Sequence, residues 1–105
     1  PVESPNGFAG LAAAISRTDA EGQPFGGWRA EESVTRETAL DGYTRSAAFA
    51  AFAEDRLGTL TAGKRADFLI IDTDPMMASP SEIHTIKPLE TWVSGARLYK
   101  QGDGR

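Results

Sequence analysis

The first half of the chain carries apolar residues at helical spacing. Four of them recur at intervals of three or four and would line one face of a helix. These residues are Phe8, Leu11, Ala12 and Ile15. Ser4 and Pro5 precede them and predict the N-cap and the first helical position, since a proline there loses no hydrogen bond. We expect this helix to end near Thr18.

A second helical region follows a glycine-rich loop. Residues 21–27 contain three glycines and a proline, which predicts a loop, and a connector continues to about Val34. Thr35 is the predicted N-cap of the next helix, and Glu37 follows in the first turn, where the helix dipole favours a negative charge. The alanine-rich run at residues 46–55 also favours helix. We expect one kinked helix or two short ones, ending before Gly58.

The pattern changes to that of strands in the second half. Phe68–Ile71 is a continuous apolar run between two aspartates, which predicts a strand buried on both faces. Residues 89–93 alternate in polarity as a strand does, and Ser94 and Gly95 predict a two-residue hairpin turn before a return strand. A single helical turn is expected at residues 80–83. The predicted fold class is therefore α+β, with the helices first and the strands last.

Three strands with little helical cover make a marginal sheet with open edges. Such edges pair with other strands, so a homo-oligomer or a strand-swapped dimer is an expected form. A stand-alone assembly module that pairs through these edges is accordingly one functional alternative. A third alternative is a small ligand-binding protein that uses Trp28 and Trp92.

Composition and charge exclude several classes of function. Among 105 residues, 40% are apolar and 25% are charged, which is ordinary for a globular protein. The net charge of −4, with scattered Lys and Arg, argues against a nucleic-acid partner. No apolar run is long enough to span a bilayer, and no membrane association is expected. The chain has no cysteine, which is compatible with the cytoplasmic location that we expect.

The chain lacks the residues of a complete catalytic centre. Its single histidine, His84, cannot supply the several ligands of a metallohydrolase site, and no serine lies in a nucleophile-elbow motif. His84 is interpreted as an exposed or capping residue. Asp72 and Asp74 precede Pro75 in what we interpret as a solvated turn. No catalytic residue and no metal ligand are therefore predicted in this chain.

Two stretches resemble the end of amidohydrolase superfamily proteins. The first, residues 54–75, has an acidic approach, two glycines, a lysine, an Ala-Asp pair and an apolar strand that ends in aspartate. Its matching residues are Gly58, Gly63, Lys64, Ala66, Asp67 and Asp72. The second, residues 91–99, resembles the closing hairpin of the same proteins. Their order and spacing together make a specific signature.

The front of the chain narrows the resemblance to family 3 amidohydrolases, the YtcJ-like group. Residues 1–17, the glycine-rich loop that ends at Trp28 and the segment at residues 35–44 are similar to that group, so the match extends from Pro1 to about Lys100. Three positions depart from the expected pattern, and none has a catalytic role in the family. They are Gly7, Thr38 and Ser46, in place of proline, an acidic residue and asparagine.

The resemblance implies the C-terminal part of a (β/α)8-barrel hydrolase with a small β-sandwich built from both chain ends. Residues 1–53 would form terminal helices of the barrel, and residues 54–105 would form strands of the composite sandwich. In the family the last metal-binding aspartate directly precedes the Pro-Val pair that Pro1 and Val2 match. Every metal ligand would then lie upstream of this chain. The missing N-terminal part of the same protein is its expected partner.

The function implied by the resemblance is hydrolysis of carbon–nitrogen bonds other than peptide bonds. The parent enzyme would use a divalent metal, with zinc the favoured ion, to generate hydroxide from bound water, and the upstream aspartate would carry the proton. The 105-residue chain by itself would bind no cofactor and be inactive. Glu3 and Ser4, on a loop before the first helix, are its only candidates for the rim of the substrate pocket.

Overall fold

The computed structural model describes residues 5–102. Within that range the α+β class is confirmed, because helices come first and an antiparallel sheet comes last. The helices are α1 (Gly7–Ser16), α2 (Arg36–Tyr43) and α3 (Arg45–Ala50), with 3-10 turns at Ala30–Glu32 and Ile83–Thr85. The strands are β1 (Phe68–Ile71), β2 (Pro88–Val93) and β3 (Ala96–Lys100). The origin of the helices in a barrel stays a prediction.

The described residues form two compact units. The first combines residues 5–43 with Asp74–Ile86, and the second combines Thr44–Thr73 with residues 87–102. The chain thus leaves the second unit after β1, contributes a 13-residue segment (74–86) to the first, and returns for β2. The predicted boundary between residues 53 and 54 concerns the complete family protein and stays a prediction.

Helix α1 begins later than the sequence pattern predicted. Asn6 is its N-cap, and the Asn6 side chain accepts a hydrogen bond from the Phe8 N–H at 3.0 Å. The prediction of Pro5 as the first helical residue is wrong, because an asparagine cap two residues before Phe8 satisfies one of the free N–H groups of the first turn. Ser4 lies outside the described residues. The helix ends at Ser16, where Arg17 adopts a left-handed conformation.

The core of the first unit lies between α1, α2 and the second 3-10 turn. Burial of small and branched apolar side chains there supplies the main stabilisation of this unit. The buried residues are Leu11, Ala12, Ala39, Ala78, Ile83 and Ile86. Arg36 on α2 donates a hydrogen bond from Nη1 to the Pro75 carbonyl at 2.6 Å, which ties the 74–86 segment to α2. The predicted helical turn at residues 80–83 is found slightly later, at Ile83–Thr85.

The predicted second helical region consists of two short helices. Thr35 caps α2 as predicted, because its Oγ1 accepts a hydrogen bond from the Thr38 N–H at 3.1 Å. The helical backbone is interrupted at Thr44, with φ −125° and ψ −88°. Helix α3 then continues to Ala50, and Ala48 and Ala53 are buried in the second unit.

The sheet has the strand order β1-β2-β3, with both pairs antiparallel. Phe68 lies opposite Trp92, and their rings stack with centroids 5.5 Å apart. Ser94 and Gly95 form the predicted hairpin turn, and both have positive φ (52° and 77°), which suits the twist of the flanking strands.

The prediction that β1 is buried on both faces is wrong for this chain. Leu69 and Ile70 point to opposite faces of the sheet, and they are 47% and 43% exposed. A strand becomes buried on both faces only when a layer packs on each side, and the described residues do not supply two such layers.

No helix within residues 5–102 has both the length and the apolar character needed to cross a membrane.

Candidate functional site: the signature segment and the surfaces around it

Lys64 closes the loop between α3 and β1. Its Nζ donates to the Glu54 carbonyl at 2.6 Å and lies 3.5 Å from the Leu57 carbonyl. These carbonyls belong to the turn that follows α3, and the ammonium group gives them a charge-assisted hydrogen-bond donor. Lys64 is therefore engaged with the backbone, and its role in the described structure is to hold this turn.

Gly58 allows the same turn to approach α3 closely. Its φ is +100°, and a Cβ built there would lie 3.0 Å from the Ala48 Cβ and 3.2 Å from the Arg45 Cα. Glycine is the residue that tolerates both the positive φ and this short approach. The leading glycine of the signature thus has a packing role.

Asp67 and Ala66 bind the hairpin turn. The Asp67 Oδ1 accepts a hydrogen bond from the Ser94 N–H at 2.8 Å, and the Ala66 carbonyl accepts one from the Gly95 N–H at 3.0 Å. The other Asp67 oxygen lies 3.3 Å from Arg65 Nη2. The Ala-Asp pair therefore fixes the two residues of the turn between β2 and β3.

Asp72 closes the opposite end of the β1–β2 pair. Its backbone N–H donates to the Lys87 carbonyl, and its Oδ1 accepts from the Lys87 N–H, each at 3.2 Å. All four of these signature residues contact backbone or packed side chains of the second unit. They are Gly58, Lys64, Asp67 and Asp72. We call residues 58–72 together with these contacts the signature clasp. Its contacts support the turn after α3 and the sheet.

The first unit contains a groove of about 800 Å³ beside α1. Small residues of α1 form its floor, and Tyr43, Ser81 and His84 contribute polar groups to its walls. His84 is half-buried in the second 3-10 turn, so its interpretation as an exposed residue is only partly right. A smaller concave surface of about 470 Å³ in the second unit is lined by residues that include Phe49 and Lys64.

Both tryptophans of the sequence have partners within their own units. The guanidinium carbons of Arg17 and Arg29 lie 5.0 and 5.2 Å from the Trp28 ring centroid, and Arg17 Nε donates to the Trp28 carbonyl at 3.0 Å. Trp92 stacks on Phe68 and donates from Nε1 to Glu90. These contacts support the loop and the sheet, respectively.

The predicted pocket-rim residues, Glu3 and Ser4, lie outside the described residues, so their role stays a prediction. Within residues 5–102, no three His, Asp or Glu side chains come together in a group that could hold a metal ion. The residues that the structure describes therefore do not fit the divalent metal that the resemblance implies. No catalytic step is assigned to them.

The sequence matches the model of the amidohydrolase family over residues 1–99. The chain belongs to the amidohydrolase family, which confirms the resemblance found in the signature and hairpin residues.

Three relatives show how much of such proteins this chain represents. It is 33% identical to N-substituted formamide deformylase of Arthrobacter pascens over 84% of this chain and 16% of that protein. It is 24% identical to YtcJ of Bacillus subtilis (strain 168), whose amidohydrolase name is provisional, over 96% of this chain and 19% of that protein. It is 38% identical to LONG AFTER FAR-RED 3 of Arabidopsis thaliana over 69% of this chain and 12% of that protein.

The chain thus spans less than a fifth of the length of each of these relatives. No solved structure gives a significant match to it.

Proposed function

We propose that the chain is the C-terminal segment of a metal-dependent amidohydrolase that cleaves carbon–nitrogen bonds other than peptide bonds. The observation that carries this proposal is the family match over residues 1–99, together with the 33% identity to a deformylase of N-substituted formamides. Hydrolysis of such a substrate adds one water across the bond between formyl carbon and nitrogen and releases formate and an amine. N-substituted formamides are therefore the first substrate class to test.

The proposed role of this segment is to complete the folded enzyme, whereas its chemistry is carried elsewhere. The signature clasp holds the turn after α3 and the sheet, and the described residues offer no group of ligands for a metal. When bound in the complete protein, the metal would supply an activated water. Within this chain, only Glu3 and Ser4 are proposed to reach the substrate, at the pocket rim.

The proposed partner of this segment is the remainder of the same polypeptide, and a homo-oligomer or strand-swapped dimer is the proposed state of the isolated chain. The observation in favour is that β1 and β3 are the outer strands of the described three-stranded sheet. The proposed location is the cytoplasm, with which the absence of cysteine is compatible. The comparisons do not support the alternative of a stand-alone assembly module, since they match hydrolases by name.

The test is an assay of the complete reading frame and of the 105-residue chain side by side. Amine release from a panel of N-substituted formamides and other amides is measured with added zinc and again with a chelator. We expect the complete protein to be active and chelator-sensitive, and the isolated chain to be silent. Turnover by the isolated chain would overturn the proposal that the catalytic residues lie outside this segment. An inactive zinc-loaded complete protein would count against the hydrolase proposal.

The pocket-rim proposal has its own matched pair of variants. Glu3→Gln in the complete protein should change KM for the substrate, because a rim residue contributes to substrate binding. Glu31→Gln, a similar change on an exposed 3-10 turn, should leave KM unaltered. Equal KM values for the two variants would remove Glu3 from the site.

A further inference from the structure

The end of α3 has a backbone arrangement that glycine usually provides. The Ala53 N–H donates to the Ala48 carbonyl at 2.8 Å, and the Phe52 N–H donates to the Phe49 carbonyl at 3.0 Å. Phe52 itself has φ +58°. This is the Schellman arrangement, in which the left-handed residue after the helix is most often glycine. Here a bulky aromatic residue occupies that position.

Neither the backbone nor the packing among residues 5–102 accounts for a phenylalanine at this position. A side chain with φ near +58° is strained, and glycine would adopt the conformation freely. The Phe52 side chain is also 87% exposed, so it contributes little to the core of its own unit. Phe49, one turn earlier, is 68% exposed as well.

The other non-glycine residues with positive φ in the described part of the chain differ from Phe52 because they make local contacts. Arg17 and Arg29 both stack on Trp28, and Ser94 forms the hairpin turn that Asp67 binds. A strained residue with an exposed apolar side chain therefore points to a contact outside the described residues.

We propose that Phe52 is an anchor side chain that fills an apolar pocket on the part of the complete hydrolase outside residues 1–99. This inference rests on the proposed function, because it requires that the chain be one segment of a longer enzyme. Aromatic anchors in pockets carry a large share of interface energy, and Phe49 would extend the same contact. The rest of the polypeptide is inferred to carry this pocket because the relatives are more than five times longer than the segment that matches them.

The acidic residues near Phe52 argue against a second copy of the chain as the partner that receives its side chain. Glu54 and Asp55 lie two and three residues after Phe52 and are both exposed, and Arg56 pairs with Asp55. In a two-fold dimer through Phe52, each acidic pair would approach its own copy, which is unfavourable. The pocket that receives Phe52 is therefore expected to be apolar with a basic or neutral rim.

The main test compares Phe52→Gly in the complete protein and in the 105-residue chain, with thermal unfolding as the readout. In the isolated chain the variant should raise Tm, because glycine removes the strain and little packing is lost. In the complete protein it should lower Tm, because the anchor is gone. The matched control is Ala51→Gly, at φ −91°, which should lower Tm in both contexts.

Three results would overturn the proposal. A rise in Tm in both contexts means that nothing receives Phe52, and a fall in both means that Phe52 packs within its own chain. If the isolated chain self-associates and Phe52→Gly abolishes this association, a second copy of the chain receives Phe52, which would also overturn the proposal.

A second measurement does not depend on whether the isolated chain unfolds cooperatively. These 105 residues contain no cysteine, so Phe52→Cys introduces their only thiol, and mass spectrometry can locate its labelling within the complete protein. In the native complete protein, maleimide should label it at least about tenfold more slowly than after denaturation in urea. Equal rates would overturn the proposal. Hydrolase assays on the same preparation distinguish failure of the anchor proposal from failure of the proposed function. An active enzyme with an accessible thiol would overturn only the anchor proposal. An inactive protein with a protected thiol would overturn only the proposed hydrolase function.

Discussion

The Asp67 carboxylate accepts a hydrogen bond from the Ser94 N–H at 2.8 Å, although 27 residues separate the two in the sequence. The bond joins the residue just before β1 to the first residue of the turn between β2 and β3. Ser94 has φ +52°, a conformation that a serine holds only with support from its surroundings. The Asp67 contact supplies that support, together with the bond from the Gly95 N–H to the Ala66 carbonyl.

We predict that Asp67→Ala destabilises the chain by about 1–2 kcal/mol, because a charge-assisted hydrogen bond is lost and the Ser94 N–H loses its partner. Urea unfolding followed by fluorescence measures the change. Asp55→Ala is the matched control, since the Asp55 side chain is 76% exposed and pairs only with the neighbouring Arg56 at 3.5 Å. That control should change stability by less than about 0.5 kcal/mol. Equal effects would contradict the proposed role of Asp67.

Gly58→Ala should cost more than Gly63→Ala. Both glycines have positive φ, +100° and +94°, so each substitution carries a conformational cost. A Cβ at Gly63 meets nothing within 4 Å, whereas one at Gly58 approaches Ala48 at 3.0 Å. We expect about 1 kcal/mol for Gly63→Ala and about 2–3 kcal/mol for Gly58→Ala, because only the latter adds crowding. Similar unfolding midpoints for the two variants would show that α3 shifts to accommodate the added Cβ without a measurable loss of stability.

Lys64→Met tests the ammonium contact with the turn after α3. Methionine retains much of the apolar stem but cannot donate to the Glu54 and Leu57 carbonyls, so we expect a loss of about 1–2 kcal/mol. Lys100→Met, at an exposed position on β3, removes the same charge without such a contact and should be close to neutral. Hydrogen exchange of the amides at residues 54–58 should accelerate in the first variant alone. An unchanged exchange pattern would argue against the assigned contact.

The packing of α1 against α2 can be tested at Gly10 and Tyr43. A Cβ at Gly10 would overlap the Tyr43 hydroxyl, so Gly10→Ala should displace that ring or the helix. In a Tyr43→Ala background the overlap is absent, and Gly10→Ala should stabilise α1 by up to about 1 kcal/mol through helix propensity. The double-mutant cycle should therefore give a coupling of roughly 1 kcal/mol or more. Additive effects would mean that Tyr43 moves aside freely.

Local sequence signals predicted the elements well. The hairpin turn, the capping role of Thr35 and the position of β1 were all read from a few neighbouring residues, because turns, caps and short strands depend on short-range chemistry. The predicted start of α1 was too early, because Asn6 caps the helix and Pro5 therefore lies before its first turn.

The candidate site was predictable only as a set of residue types. The signature identified Lys64, Asp67 and Asp72 as a family pattern, but their partners are distant backbone groups that no local pattern specifies. Phe52 was missed for a related reason. Phe49 and Phe52 are three residues apart in an alanine-rich run, so they resemble one apolar helix face, and the left-handed conformation at Phe52 leaves no trace in that pattern.

By itself, the sequence determined the order of the elements and the family, since these follow from residue identity and short-range spacing. Tertiary structure decided which segments share a core. Residues 74–86 pack with α1, although they lie between β1 and β2 in the sequence, and Leu69 and Ile70 remain half-exposed although both are apolar. The physical reason is that burial depends on which surfaces meet in space, and segments far apart in sequence supply those surfaces.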